Sequence, residues 1–94
     1  MHALLVTAQI HPDRSEEVGL EFLRANVLPQ LKELPGLSSA YWLATTEDRE
    51  SLAIVLFEDE ESARQMAEVG LPNAPQPPGA TLGKIEVREV VAHI

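Results

Sequence analysis

The chemistry available to this 94-residue chain rests on few side chains: three histidines, one tryptophan, one tyrosine and a strand arginine. His11 is the one histidine placed to act as a general base, because imidazole titrates near neutral pH and His11 stands where a strand ends near a possible pocket mouth. His2 and His93 should meet at one end of a sheet if the first and last strands run antiparallel. No third ligand stands at a recognisable spacing from them, so they read as solvated chain ends and no metal site is expected. Trp42 can stack on a flat ligand, and Tyr41, its neighbour, points to the opposite face of a regular strand. Arg88 can bind an anionic substrate, although with Glu86 and Glu89 it also suits the charged protection of an edge strand. The chain has no cysteine, which removes disulfides, thiolate chemistry and cysteine-based zinc sites. Phosphate loops, dinucleotide fingerprints and the Gly-x-Ser-x-Gly elbow are missing too.

These residues need elements to hold them. Residues 2–10, HALLVTAQI, read as a strand with apolar residues on both faces. Asp13 or Ser15 can cap a helix running to about Leu34, with Glu16 and Glu17 where the helix dipole favours acids. Leu20, Leu23, Val27, Leu31 and Leu34 form one apolar stripe on it. Val18, Phe22, Ala25 and Pro29 form a second, nearly opposite, and a kink at Pro29 would merge the two. Pro35-Gly36 stops this helix. Residues 37–46 form a second strand, with Leu37, Ser39, Tyr41 and Leu43 on one face and Ser38, Ala40, Trp42 and Ala44 on the other. A polar hairpin, Glu47 to Glu50, leads to a third strand at 51–57 that is apolar on both faces.

Asp59 caps a second helix whose inner face is Ala63, Met66, Ala67 and Gly70. Residues 70–83 carry four closely spaced prolines and read as an irregular surface segment, either a passive connection or a lid. The last strand is expected at 84–94. The order is therefore βαββαβ, an α+β, ferredoxin-like pattern with an antiparallel sheet. Strands 1 and 3 should be central, with strands 4 and 2 at the edges. Two helices cover one sheet face only, yet the strands are apolar on both. A second copy packed sheet to sheet is the simplest cover, so a homodimer is expected, and the second helical stripe would allow a higher oligomer.

Length and charge narrow the rest. Residues 1–94 suffice for one domain. Hydrophobic residues are 45% of the chain, which marks it as globular. Seven basic residues against fifteen acidic ones leave a formal net charge of −8, so nucleic acid and anionic membrane surfaces are not expected partners. The apolar start is too short to span a membrane and has no basic leader, which makes the cytoplasm the default compartment.

Three strings then carry a resemblance: "LPGLSSAYWL", "SLAIVLFEDEESA" and "GATLGKIEVREVVAHI". A helix ending in Pro35-Gly36, a hairpin, and a strand ending at Phe57-Glu58 before a helix from Asp59 resemble the antibiotic-biosynthesis-monooxygenase-like group, in particular its small bacterial members. The likeness spans essentially the whole chain. It implies a dimeric α/β barrel and, for some members, oxidation of aromatic molecules by oxygen without metal or flavin. Such a site deprotonates its substrate and excludes water. The haem-degrading branch, by contrast, is not matched. It needs a histidine on the second helix, and residues 59–69 contain none. Asn26 and Asn73 also lie away from the first strand. No catalytic residue carries over from the resemblance.

Three functions follow as expectations. The first is a protein like the cofactor-free monooxygenases, taking a small apolar or aromatic ligand, with Trp42, Tyr41 and Arg88 as ligand-binding candidates and no cofactor required. The second is a non-catalytic dimeric module that binds or regulates. The third is a barrel isomerase or lyase. A closed apolar cavity beside a buried titratable group would favour an enzyme.

Overall fold

The computed structural model describes residues 1–94. Four antiparallel strands form one sheet: β1 (His2–Ile10), β2 (Leu37–Trp42), β3 (Glu50–Phe57) and β4 (Ala80–Glu89), in the order β2-β3-β1-β4. Between β1 and β2 lies a helix in three pieces: α1 (Glu16–Phe22), a π segment (Leu23–Val27) and α2 (Leu28–Leu31). Between β3 and β4 lies another: α3 (Glu60–Gln65), a π segment (Met66–Gly70) and α4 (Leu71–Asn73). This is the α+β, ferredoxin-like arrangement, with the expected central and edge strands.

The caps explain where the helices begin. Ser15 accepts from the Val18 amide at 3.3 Å, and Asp59 accepts from the Ser62 amide at 2.7 Å. Each side-chain oxygen satisfies a donor that the first helical turn leaves free. The π segments answer the prolines. Pro29 and Pro72 each follow one directly, inside a Leu-Pro pair. A helical proline clashes with the carbonyl four residues back, and Ala25 and Glu68 hold that position within the two π segments. The wider π turn accommodates both rings. Side-chain amides then bond to nearby carbonyls: Asn26 to Phe22 at 3.4 Å and Asn73 to Val69 at 2.8 Å. The two apolar stripes of the first helix do not merge. Leu31 is buried and Leu34 packs on the core, while Val18, Ala25 and Pro29 stay exposed, as does Leu20 from the inward set.

Gly36 ends the first helix with φ +79°, and its carbonyl accepts from the Glu58 amide at 2.7 Å. A β-carbon here would stand 2.7 Å from the Ser62 hydroxyl. Gly36→Ala should therefore meet two obstacles. The left-handed backbone alone costs about 1–2 kcal/mol with a side chain present, and Ser62 must also move. Thermal unfolding should fall by about 5–15 °C for a chain of this size. A change within 2 °C, an order-of-magnitude margin of about half a kcal/mol, would sink this account.

Four strand boundaries differ from those expected. β2 ends at Trp42, and β3 already includes Glu50. β4 starts at Ala80 and stops at Glu89, so the irregular segment shrinks to the residues between Asn73 and Ala80. Ala80, Thr81 and Leu82 pair with Ile10, Gln9 and Ala8. A bulge in β2 also changes a face. Leu37 pairs with Phe57 but Ser39 with Leu56, so Ser38 is an extra residue. Leu37 therefore joins Ala40 and Trp42 on the helix side, rather than sharing a face with Tyr41.

The core is thin. Leu4, Val55, Phe57 and Ala63 form it, with Leu31 the only other buried residue. Val6, Leu37, Ile85 and Val87 pack around it from the sheet, and Met66, Ala67 and Leu71 from the second helix. The far face of the sheet carries Leu5, Leu52, Ile54 and Leu56 with no element above it, flanked by exposed Tyr41 and Leu43. No helix is long and apolar enough to cross a membrane.

Candidate functional site

A cavity lies on the helix side, where the first helix ends against the second. It encloses about 480 Å³ and opens to solvent. Phe57, Leu34 and Pro35 line one part of it. The second helix supplies Met66, Val69 and Gly70 from its π segment. Gly70 matters for the shape: a β-carbon there would stand 2.7 Å from the Met66 sulfur, so the missing side chain is what lets the thioether fold back. The polar groups are Glu61, Ser62 and Gln65, on the first turns of the same helix. The cavity is thus an apolar slot with a carboxylate, a hydroxyl and an amide at its edge.

Asp59 stands next to this edge and is held below its ordinary acidity range. Hydrogen bonds from the Ser62 amide and hydroxyl are the main cause, with the His2 and N-terminal charges adding to them. A carboxyl depressed in the folded state adds stability above its unfolded pKa, near 3.8, and loses it as pH falls through the folded value. Asp59→Asn keeps a capping oxygen but removes the titration. Its acid unfolding curve should be shallower below about pH 4 than the parent's, the variant being slightly less stable at pH 7 and converging with the parent at low pH. Superimposable acid limbs would show that Asp59 does not contribute.

None of the residues anticipated for ligand contact lines this cavity. Trp42 does face the helices, half-buried and opposite Ala53. It lies four residues along β3 from Phe57's position, about 13 Å at the usual strand rise. Tyr41 lies on the far face opposite Ile54, 55% exposed. The two aromatics are therefore split between the faces, as the strand alternation implied. Arg88 also lies on the far face, and its guanidinium donates to Glu86 Oε2 at 2.8 and 3.1 Å. That contact, first as hydrogen bond and then as charge, holds Glu86 below its ordinary range, with Lys84 adding at 3.7 Å. Arg88 thus pairs with Glu86 on the edge strand, its side chain 67% exposed.

His11 is exposed at the other end of the sheet, its Nε2 2.9 Å from the Thr81 hydroxyl. A smaller cleft of about 250 Å³ lies nearby, between Arg14, Val18 and Pro78. His2 lies 3.5 Å from Glu60, with its Nδ1 buried and unpaired. β4 leaves the sheet at this same end, where Glu89 pairs with His2 and the Val90 amide bonds the Met1 carbonyl, with His93 three residues further on. No three His, Asp or Glu side chains converge to hold a metal.

Sequence reasoning missed the cavity. Its walls come from residues 34–35, residue 57 and residues 61–70, which only packing unites. One signal was available: Glu61, Gln65 and Val69 recur every four residues, on a helix face other than that of Ala63 and Ala67.

No protein-family model matches the sequence, and no curated protein matches it. Among solved structures, the chain is similar to a monooxygenase from the gene ActVA-Orf6 of Streptomyces coelicolor, determined in complex with nanaomycin D. The TM-score is 0.64 at 21% identity, covering 99% of this chain and 89% of that one. At that identity the likeness shows a shared fold.

Proposed function

We propose that this protein is a homodimer with the architecture of the cofactor-free monooxygenases and that it takes a small, flat, largely apolar molecule into its helix-side cavity. The cavity carries this reading: about 480 Å³ of space, lined by Phe57, Leu34, Met66 and Val69, with few polar groups at its edge. Such a composition is that of small-molecule sites, where apolar walls supply affinity and a few polar groups fix orientation. The uncovered Leu5, Leu52, Ile54 and Leu56 face supports the dimer. One sheet and its two helices span residues 2–89, which supports reading 1–94 as a single domain.

Ligand-detected NMR with a panel of bicyclic aromatics tests the binding. Saturable binding is expected, and it should vanish in Val69→Trp, which fills the cavity from an exposed wall position. A panel without a single saturable binder, or unchanged binding in the variant, would remove the proposal. Trp42 fluorescence is a poor reporter here, because the indole lies well along the sheet from Phe57.

The similar fold of a monooxygenase solved with nanaomycin D favours a second reading, oxygenation of an aromatic substrate. Glu61 is the one titratable group lining the cavity and would be the base. Oxygen uptake with oxidisable phenols, above the rate without protein and lowered in Glu61→Gln, would support it. Saturable binding with no oxygen uptake would leave the non-catalytic binding module.

A further inference from the structure

We infer that the cavity prefers an aromatic ligand carrying a positive charge, such as an arylalkyl amine, over neutral or anionic ligands of the same shape. The inference rests on the reading that this cavity binds a small aromatic molecule, and it adds the ligand's charge class. Apolar contact alone would not distinguish these ligands, because Phe57, Leu34, Met66 and Val69 meet each ring alike. The charged groups at the cavity do. Glu61 lines it, and no lysine, arginine or histidine does.

Two bases at α3 pair with Glu60, the N-terminal ammonium acts on Asp59, and Lys32, two residues before the Leu34 wall, has no ion pair. Arg64 sits 3.2 Å from Glu60, and His2 sits 3.5 Å from the same carboxylate. Glu58, Asp59, Glu60 and Glu61 form an unbroken acidic run at the start of α3. The α3 N-terminus offsets part of this, but a helix end supplies only about half a unit of positive charge. Of the four carboxylates in the run, only Glu60 has a cation within salt-bridge distance. The chain's formal net charge of −8 adds a background of the same sign. A carboxylate ligand would therefore enter against repulsion, whereas an ammonium group seated at the edge meets Glu61 while its ring meets Phe57.

Three probes with one ring system test this: 1-naphthylmethylamine, 1-naphthalenemethanol and 1-naphthoate. Their affinities are measured by ligand-detected NMR at pH 7. For partly exposed charges a few ångströms apart, the amine should bind about three- to tenfold more tightly than the alcohol, and the naphthoate more weakly by a similar factor. Raising the salt from about 0.02 M to about 0.5 M should compress the spread. Glu61→Gln should bring the amine and the alcohol together, and Val69→Trp should abolish the binding of both. Equal affinities, or a preference for naphthoate, would overturn the charge inference and leave the cavity reading standing. An amine preference that survives Val69→Trp would place the attraction on the outer surface and overturn the inference as well. Failure of all three probes to bind would overturn the cavity reading itself.

Discussion

Replacing Ile54 by aspartate should turn the proposed dimer, of twice 10.3 kDa, into a monomer in sedimentation at micromolar concentration. Ile54 sits at the middle of the uncovered sheet face, between Leu5 on β1 and Tyr41 on β2. In an isolated chain this side chain faces water and a carboxylate would be tolerated there. In a sheet-to-sheet dimer the same position is buried, and two-fold symmetry places the charge on both sides of the interface. An unpaired buried carboxylate costs several kcal/mol, so two of them should weaken association by about a thousandfold or more. Val18→Asp supplies the contrast. Val18 is exposed on the outer side of the first helix, and its substitution should leave the dimer intact. A dimer that survives Ile54→Asp but not Val18→Asp would move the interface to the helices. A parent protein that sediments as a monomer would remove it altogether.

How much of this was legible in the sequence depended on the range of the interactions involved. Local signals were read correctly. Ser15 and Asp59 cap their helices because a short oxygen-bearing side chain suits that place. Gly36 takes a conformation that other residues avoid. The βαββαβ order with right-handed crossovers placed β1 and β3 at the centre, and the strand order bears this out. Long-range effects were not legible. Ala80-Thr81-Leu82-Gly83 looks like loop because alanine and glycine are weak strand formers. Pairing with Ile10, Gln9 and Ala8 overrides that preference. The bulge at Ser38 likewise depends on how β2 meets β3, so the face of Leu37 could not be read by counting alternate residues.

The site was less legible than the fold for a related reason. Rare residues attracted attention: Trp42, Tyr41, Arg88 and His11. Common ones line the cavity. Trp42 and Tyr41 occupy an edge strand beyond the reach of the cavity, and Arg88 is held by Glu86. Pro29 and Pro72 were visible, but the first suggested a kink and the second an irregular segment. The structure instead widens the turn ahead of each, and at Met66–Gly70 that wider turn is part of the cavity wall. Such π segments recur at functional sites.

Phe57→Ala should lower folding stability by about 3–5 kcal/mol in urea denaturation. Phe57 is 1% exposed and belongs to the core with Leu4, Val55 and Ala63, while it also lines the cavity. A chain of this kind holds only about 5–15 kcal/mol in total, so the variant should be partly unfolded near 37 °C. The dual position of Phe57 links stability to binding. Removing the ring joins its volume to a space of about 480 Å³ that already opens on the same side chain. A small aromatic that enters this enlarged space restores contacts that the deletion removed. Its presence at about a hundred times its Kd should return about 2.7 kcal/mol, because it binds the folded chain only. Naphthalenemethanol should thus raise the thermal midpoint of Phe57→Ala distinctly, while Val69→Trp in the same background should cancel the rescue. A stability loss below about 1 kcal/mol would mean that Phe57 does not anchor the core. A full loss without rescue would separate the core from the cavity, and Phe57 would then be a structural residue only.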